Sequence, residues 1–190
     1  AMLPYLSENY GNPSSIHTFG GRDYAAIEKA RHSVANLLGA FDSEIIFTGC
    51  GTESDNAAIF SAVSTMAPRK KALVSKVEHP AVLNIGKELA RRGLTVIEIP
   101  VDAKGRIDIE FIEKNTDRGT ALVSVMWANN EIGNIYPVAE ISEIAHSKGA
   151  LFHTDAVQAA GKIPIKLSEM KIDTLAMSGH KLHAPKGIGV

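Results

Sequence analysis

The chain carries a single cysteine, Cys50, among its 190 residues, so no disulfide framework can staple it and a reducing compartment suits it. An excess of charge of either sign is also missing. The formal net charge is −1, and Arg69-Lys70-Lys71 and Arg91-Arg92 read as solvated helix ends, not as a basic stripe. Nucleic acid is therefore not an expected partner. No apolar run approaches the ~18 residues of a membrane span. The opening Ala1-Met2-Leu3-Pro4-Tyr5 puts no basic region ahead of an apolar segment, so no signal peptide is evident. Repeats and low-complexity segments are lacking too. So is regular ligand spacing: His153, Asp155, His180 and His183 fall at separate strand ends, which makes a metal hydrolase a poor reading and leaves no metal expected.

What is present is enough apolar material for a full core. The composition is 45% hydrophobic and 22% charged, which fits one soluble domain. Arg22 to Leu38 reads as an amphipathic helix with Tyr24, Ile27, Val34, Leu37 and Leu38 on its apolar side, stopped by Gly39. Strands and helices then alternate. Strands are expected at Glu44–Thr48, Ala72–Ser75, Leu94–Ile99, Ala121–Met126, Leu151–Thr154 and Thr174–Met177, and Gly187-Ile188-Gly189-Val190 reads as another beginning. Helices are expected to about Thr65, at Ala81–Arg92, near Ile109–Lys114 and at Val138–Ser147. Such alternation predicts an α/β fold with three αβα layers and a mainly parallel sheet.

Several strand ends carry chemistry. Lys181, in Ser178-Gly179-His180-Lys181-Leu182-His183, follows a short apolar strand, where an enzyme would place an amine that must form a Schiff base; a solvated surface lysine is the plain alternative. Asp155 falls at the carboxyl end of a buried strand, where ligands bind in open α/β sheets. It could hold a pyridine nitrogen cationic, as an electron-sink cofactor requires, or simply cap the next helix. The turn Thr48-Gly49-Cys50-Gly51-Thr52-Glu53-Ser54 leads from a strand into a helix and could cradle an anion with backbone N–H groups, the helix dipole and the Thr52 hydroxyl. Capping by Thr52 or Ser54 is the ordinary alternative. It is no dinucleotide fingerprint, because Ser54 stands where the third glycine belongs, and no P-loop, because no Gly-Lys-Ser/Thr follows. His79 sits at another strand-to-helix junction with Pro80 behind it, fit to stack on a flat ring or to serve structure alone. Asn129 and Asn130 either close a turn or offer amides to a substrate.

Taken in order, Tyr10-Gly11-Asn12-Pro13-Ser14-Ser15, Gly51-Thr52-Glu53-Ser54-Asp55-Asn56, Glu78-His79-Pro80-Ala81-Val82, Asn129-Asn130-Glu131-Ile132-Gly133, Asp155-Ala156-Val157-Gln158 and Ser178-Gly179-His180-Lys181 span nearly the whole chain. In this order and spacing the chain resembles the NifS/IscS-type cysteine desulfurases, class V aminotransferase-like enzymes of fold-type I that depend on pyridoxal 5'-phosphate. The stretch after Lys181 resembles the NifS branch somewhat more.

The resemblance implies the large, cofactor-binding domain of such a transferase over residues 1–190, converting L-cysteine to L-alanine and passing the sulfur on as an enzyme persulfide for iron–sulfur cluster assembly. Lys181 would hold the cofactor as a Schiff base and then move the proton at the substrate Cα. His79 would stack on the ring and assist proton transfer. Asp155 would pair with the ring nitrogen and Gln158 with the ring oxygen. Thr52, Ser178 and His180 would hold the phosphate with the backbone around Gly51, and Asn130 would lie beside the ring oxygen and the substrate carboxylate. A homodimer is implied, with an iron–sulfur scaffold or another sulfur-acceptor protein as a further partner, in the cytoplasm.

The sequence also departs from the family. Its sulfur nucleophile, on a mobile loop, and its carboxylate-binding arginine are expected beyond Lys181 and outside this chain, as is the small C-terminal domain, and Cys50 occupies a cradle position where the family commonly has serine or glycine. The chain thus reads as truncated at both ends, which leaves an organellar address open and makes the isolated piece expected to be inactive. A selenocysteine lyase, a class V aminotransferase and a non-catalytic binding fragment are the alternatives.

Overall fold

Strand sequences here are short apolar runs, Lys71-Ala-Leu-Val-Ser75, Thr120-Ala-Leu-Val-Ser124 and Leu151-Phe-His-Thr-Asp155, buried along almost their whole length. Runs apolar on both faces belong in the middle of parallel sheets covered by helices. The computed structural model describes residues 2–190 and divides into two units, 1–46 and 47–190.

The second unit is built on five parallel strands: β1 (Lys71–Ser75), β2 (Thr95–Ile99), β3 (Thr120–Ser124), β4 (Leu151–Asp155) and β5 (Thr174–Ala176), in spatial order β2-β1-β3-β4-β5. The first unit contributes α1 (Leu3–Ser7) and α2 (Thr18–Leu38); the second contributes α3 (Gly51–Thr65), α4 (Pro80–Arg91), α5 (Ile109–Asn115) and α6 (Val138–Ser147). Ile59 and Ala62 of α3 and Val82, Ile85 and Leu89 of α4 pack on Ala72 and Val74 of β1 and Leu122 of β3. Burying five such aliphatic side chains stabilises the layer by roughly 1.5–3 kcal/mol each for the larger ones. Helix α6 packs on β3 and β4 with α5 beside it, which gives the αβα layering that the alternation predicts.

The chain runs outward in one direction from β1 to β2 and in the other from β3 through β4 to β5. Right-handed crossovers then leave a crevice at the carboxyl ends of β1 and β3, the place where such sheets bind ligands.

Element ends follow local chemistry. Helix α2 begins at Thr18, four residues earlier than Arg22, because the ring of His17 accepts from Gly20 N–H as N-cap; it stops at Gly39, whose φ of 67° is left-handed. Its supposed apolar side is mostly open: Tyr24, Ile27 and Leu37 are exposed, and Ala35 and Leu38 are buried. The strand expected at Glu44–Thr48 does not form. Glu44 turns back to accept from the Phe41 N–H at 2.7 Å and winds Asp42–Glu44 into a 3-10 turn. Thr48 exchanges 2.9 Å backbone bonds with Gly189 in an antiparallel bridge. Gly189 also bridges Ser178, and Val190 exchanges bonds with Met177, so the beginning strand at 187–190 runs antiparallel to its neighbours.

Candidate active site

Every residue singled out from the sequence for the cofactor, from Gly51 to Lys181, lines one cavity of about 200 Å³ in the second unit. Five segments bring them together. Helix α3 supplies Gly51 and Thr52, the junction after β1 supplies His79, the loop after β3 supplies Asn130, the end of β4 supplies Asp155 and Gln158, and the turn after β5 supplies Ser178, His180 and Lys181.

Helix α3 opens at Cys50, whose side chain makes no capping bond, so the ordinary capping role expected of Thr52 or Ser54 is not what the turn uses. Both residues lie inside the helix; Ser54 Oγ instead meets Thr48 Oγ1 at 2.7 Å and the Cys50 carbonyl at 3.2 Å. Helix starts leave backbone donors without an intrahelical partner, and here those donors border the cavity together with the exposed Thr52 hydroxyl. Gly51 is buried, and a Cβ there would meet Ser178 Cβ at 3.1 Å and Val157 Cγ2 at 3.3 Å. The space is shaped to the absence of a side chain. Across it, Ser178 Oγ and His180 Nδ1 are 2.8 Å apart, a pair of polar groups on the same wall.

Lys181 sits in a 3-10 turn, Gly179–Leu182, that ends in His183 with a left-handed φ of 64°. Among the described residues its ammonium has no hydrogen-bond or ion-pair partner, so the amine is uncommitted at the cavity wall. His79 is the N-cap of α4 and its Nδ1 accepts from Ala81 N–H at 3.2 Å, with Pro80 in the first turn. It therefore combines the structural role with a place in the cavity. Of the two asparagines, Asn129 closes the turn by accepting from Glu131 and Ile132 N–H, and Asn130 faces the cavity with its amide on Glu131. Gln158 accepts from Lys162 Nζ at 2.7 Å.

Asp155 is buried at 4% exposure and accepts from Val157 N–H at 2.9 Å, a local turn and not a helix cap, since no helix follows. Burial first, and the neighbouring Asp55 carboxylate second, push its carboxyl up to about 6, against the pull of the Val157 N–H, His153 and His79.

The sequence reading missed the acids around it. Asp55, on α3, lines the cavity. Glu78 is buried beside it, accepts from Met126 N–H at 2.6 Å, and leaves its other oxygen without a partner. Burial holds the Glu78 carboxyl well above the usual range, and Asp155 and Asp55 add to the shift. An acid beside His79 in the run Val77-Glu78-His79 was the available signal, but its partner lies 48 residues away and no local pattern announces its burial.

A flat phosphate-bearing ring suits these residues: a helix start with a glycine that leaves room, hydroxyl and imidazole groups for the phosphate, a buried acid for the ring nitrogen and an uncommitted amine for the aldehyde. Comparison with known proteins agrees. The chain is 53% identical over 191 residues to the cysteine desulfurase NifS of Azotobacter vinelandii, covering 100% of this chain and 48% of that protein. It is 54% identical to a cysteine desulfurase of Gluconacetobacter diazotrophicus, again covering 100% of this chain and 48% of the relative. Among solved structures, a NifS-like protein superposes with a TM-score of 0.94 at 43% identity, over 99% of this chain and 52% of the other. A structure described as SspA in complex with cysteine gives 0.94 at 36%, over 99% and 55%. The chain spans about half the length of the curated relatives it matches. The model of the family described as aminotransferase class-V matches residues 1–190, and the chain belongs to that family of pyridoxal-phosphate enzymes.

Proposed function

We propose that residues 1–190 form the cofactor-binding large domain of a pyridoxal-phosphate-dependent cysteine desulfurase, the reaction being L-cysteine plus a protein thiol giving L-alanine plus a persulfide. The observation that carries this is the convergence of an uncommitted lysine, a buried acid and a glycine-led helix start on one cavity at the sheet's carboxyl edge. The relatives named as cysteine desulfurases supply the substrate, and the solved neighbour with bound cysteine supports it.

When bound, the cofactor supplies an electron sink for the pair released at the substrate Cα. The chain's own residues do the rest. Lys181 anchors the cofactor and then carries the Cα proton on its Nζ. Asp155 pairs with the ring nitrogen as a carboxylate, and that charge is the reason a buried acid belongs there. Gln158 and Asn130 orient the ring oxygen, and Asn130 reaches the substrate carboxylate. Thr52, Ser178, His180 and the backbone at Gly51 hold the phosphate. His79, fixed by the Ala81 N–H, would stack on the ring and assist the proton transfer. The thiol that takes the sulfur and the arginine that binds the substrate carboxylate are assigned to parts of the enzyme other than this cavity. A homodimer fits the exposed Leu3, Tyr5, Leu6 and Phe19 of the first unit, apolar surface that a partner would cover. Transfer of the sulfur to an iron–sulfur scaffold and a cytoplasmic site of action follow from the same reading.

The test is alanine release from L-cysteine by the full-length protein, with Lys181→Ala beside it. Alanine and sulfide in equal amounts under a reductant, lost in the variant and made by a species that sediments as a dimer, are expected. Amino-group exchange with no alanine from cysteine would make the enzyme an aminotransferase, and full activity from a monomer would remove the dimer.

A further inference from the structure

His153 is fully buried, and both of its ring nitrogens are engaged. Nδ1 lies 2.9 Å from Thr174 Oγ1 on β5, and Nε2 lies 3.2 Å from Asp55 Oδ1 on α3. An ionised carboxylate can only accept, so Nε2 carries a proton, and the threonine hydroxyl can serve either state of Nδ1. His153 and Asp155 are two residues apart on β4 and so share a face of the sheet. That face is the one covered by α3. Thr174, His153 and Asp55 thus form a relay running from the edge strand to the cavity wall beneath Asp155.

The charges around Asp155 explain what a relay is for. From α3 comes the Asp55 carboxylate, which raises its carboxyl; from β4 comes His153 and from the cap of α4 comes His79, which lower it. Glu78 faces the same cluster from the loop after β1, and burial pushes its carboxyl well above the usual range. Lys181 and His180 line the cavity from the turn after β5. An unpaired carboxylate next to Asp155 in so dry a place would oppose the charge that the cofactor site needs.

We propose that His153 and Asp55 are positioning residues for Asp155, a hydrogen-bonded pair that balances charge beneath it and leaves Asp155 as the one net anion facing the cavity floor. The inference rests on the reading of Asp155 as partner of the ring nitrogen, and two readouts separate them. The first is the pH titration of the Asp155 side-chain carboxyl, followed by carbon-13 resonance in the cofactor-stripped full-length protein and assigned with Asp155→Asn. The second is the equilibrium affinity for pyridoxal 5'-phosphate across the same pH range.

His153→Gln keeps a donor toward Asp55 but has no ring nitrogen that can take up a proton to offset the carboxylate, so on this proposal the Asp155 midpoint moves up from about 6 by on the order of one unit. Adding Asp55→Asn removes the uncompensated carboxylate and brings the midpoint back to the wild-type value. A purely structural relay predicts lower melting temperatures for both variants and no such reversal. If the single variant fails to fold, the double variant, which buries no unpaired charge, still folds and titrates like wild type; a double variant no better than the single one overturns the proposal, as does an Asp155 midpoint that His153→Gln leaves in place. Midpoints that move as stated while cofactor affinity ignores them would keep the pair and remove the ring-nitrogen role of Asp155. Affinity that follows Asp155 while neither variant moves its midpoint would do the reverse.

Discussion

Asp155 is a carboxyl that the fold makes reluctant to ionise, and this has a consequence that can be measured without any cofactor. Its folded value, about 6, lies above the ordinary 3.8. A group raised on folding contributes stability that is complete below the ordinary value and is lost as pH rises through the folded one. The unliganded protein is therefore strained by this acid above pH ~6, by about 3 kcal/mol at most for a shift of this size. Asp155→Asn, which keeps the acceptor for Val157 N–H, is expected to raise stability toward denaturant at pH 8 and to change little at pH 4, while weakening pyridoxal 5'-phosphate binding at least tenfold. Equal stability changes at both pH values would contradict the assignment. At this scale the sequence was informative where a residue sits beside its own strand end: His79 stands between β1 and α4, and Asp155 and Lys181 come at the end of β4 and after β5, whereas no strand precedes Thr52. Asp55, Glu78 and His153 were not legible, because their meaning comes from partners 48 to 98 residues away.

Among the elements, α3 matters most for binding. Its first turn borders the cavity, and its apolar side, Ile59 and Ala62, locks it to the sheet, so the donors at its start are held rigidly. Gly51→Ala would press on Ser178 and Val157 at 3.1 and 3.3 Å, moving a phosphate-side hydroxyl by a few tenths of an ångström at a cost of about 1–3 kcal/mol. We expect about a tenfold loss of affinity for pyridoxal 5'-phosphate and little change for pyridoxal, which lacks the phosphate; titrations of both compared side by side check this, and equal losses would place the phosphate elsewhere. Helices with an apolar stripe were legible nearly to the residue: α4, capped by His79, begins on Pro80 and α6 runs Val138–Ser147. The Glu44–Thr48 segment misled because the continuous apolar run Ile45-Ile46-Phe47 suggests a strand whether or not a neighbouring strand is available to pair; Glu44 closing on Phe41 decided it locally.

For the whole second unit, the strand order β2-β1-β3-β4-β5 does the positioning. Residues from 51 to 181 meet only because the chain leaves the sheet centre in both directions and returns each loop to the same carboxyl edge. Alternation in the sequence announced a parallel sheet but not that order, since propensity and periodicity carry no information on which strands are neighbours. The most direct measurement is borohydride reduction of the full-length protein loaded with pyridoxal 5'-phosphate, followed by peptide mass mapping. The account predicts one reduced cofactor per chain, carried on Lys181, and none on the Lys181→Ala variant; a label on another lysine, or undiminished labelling of the variant, would contradict it.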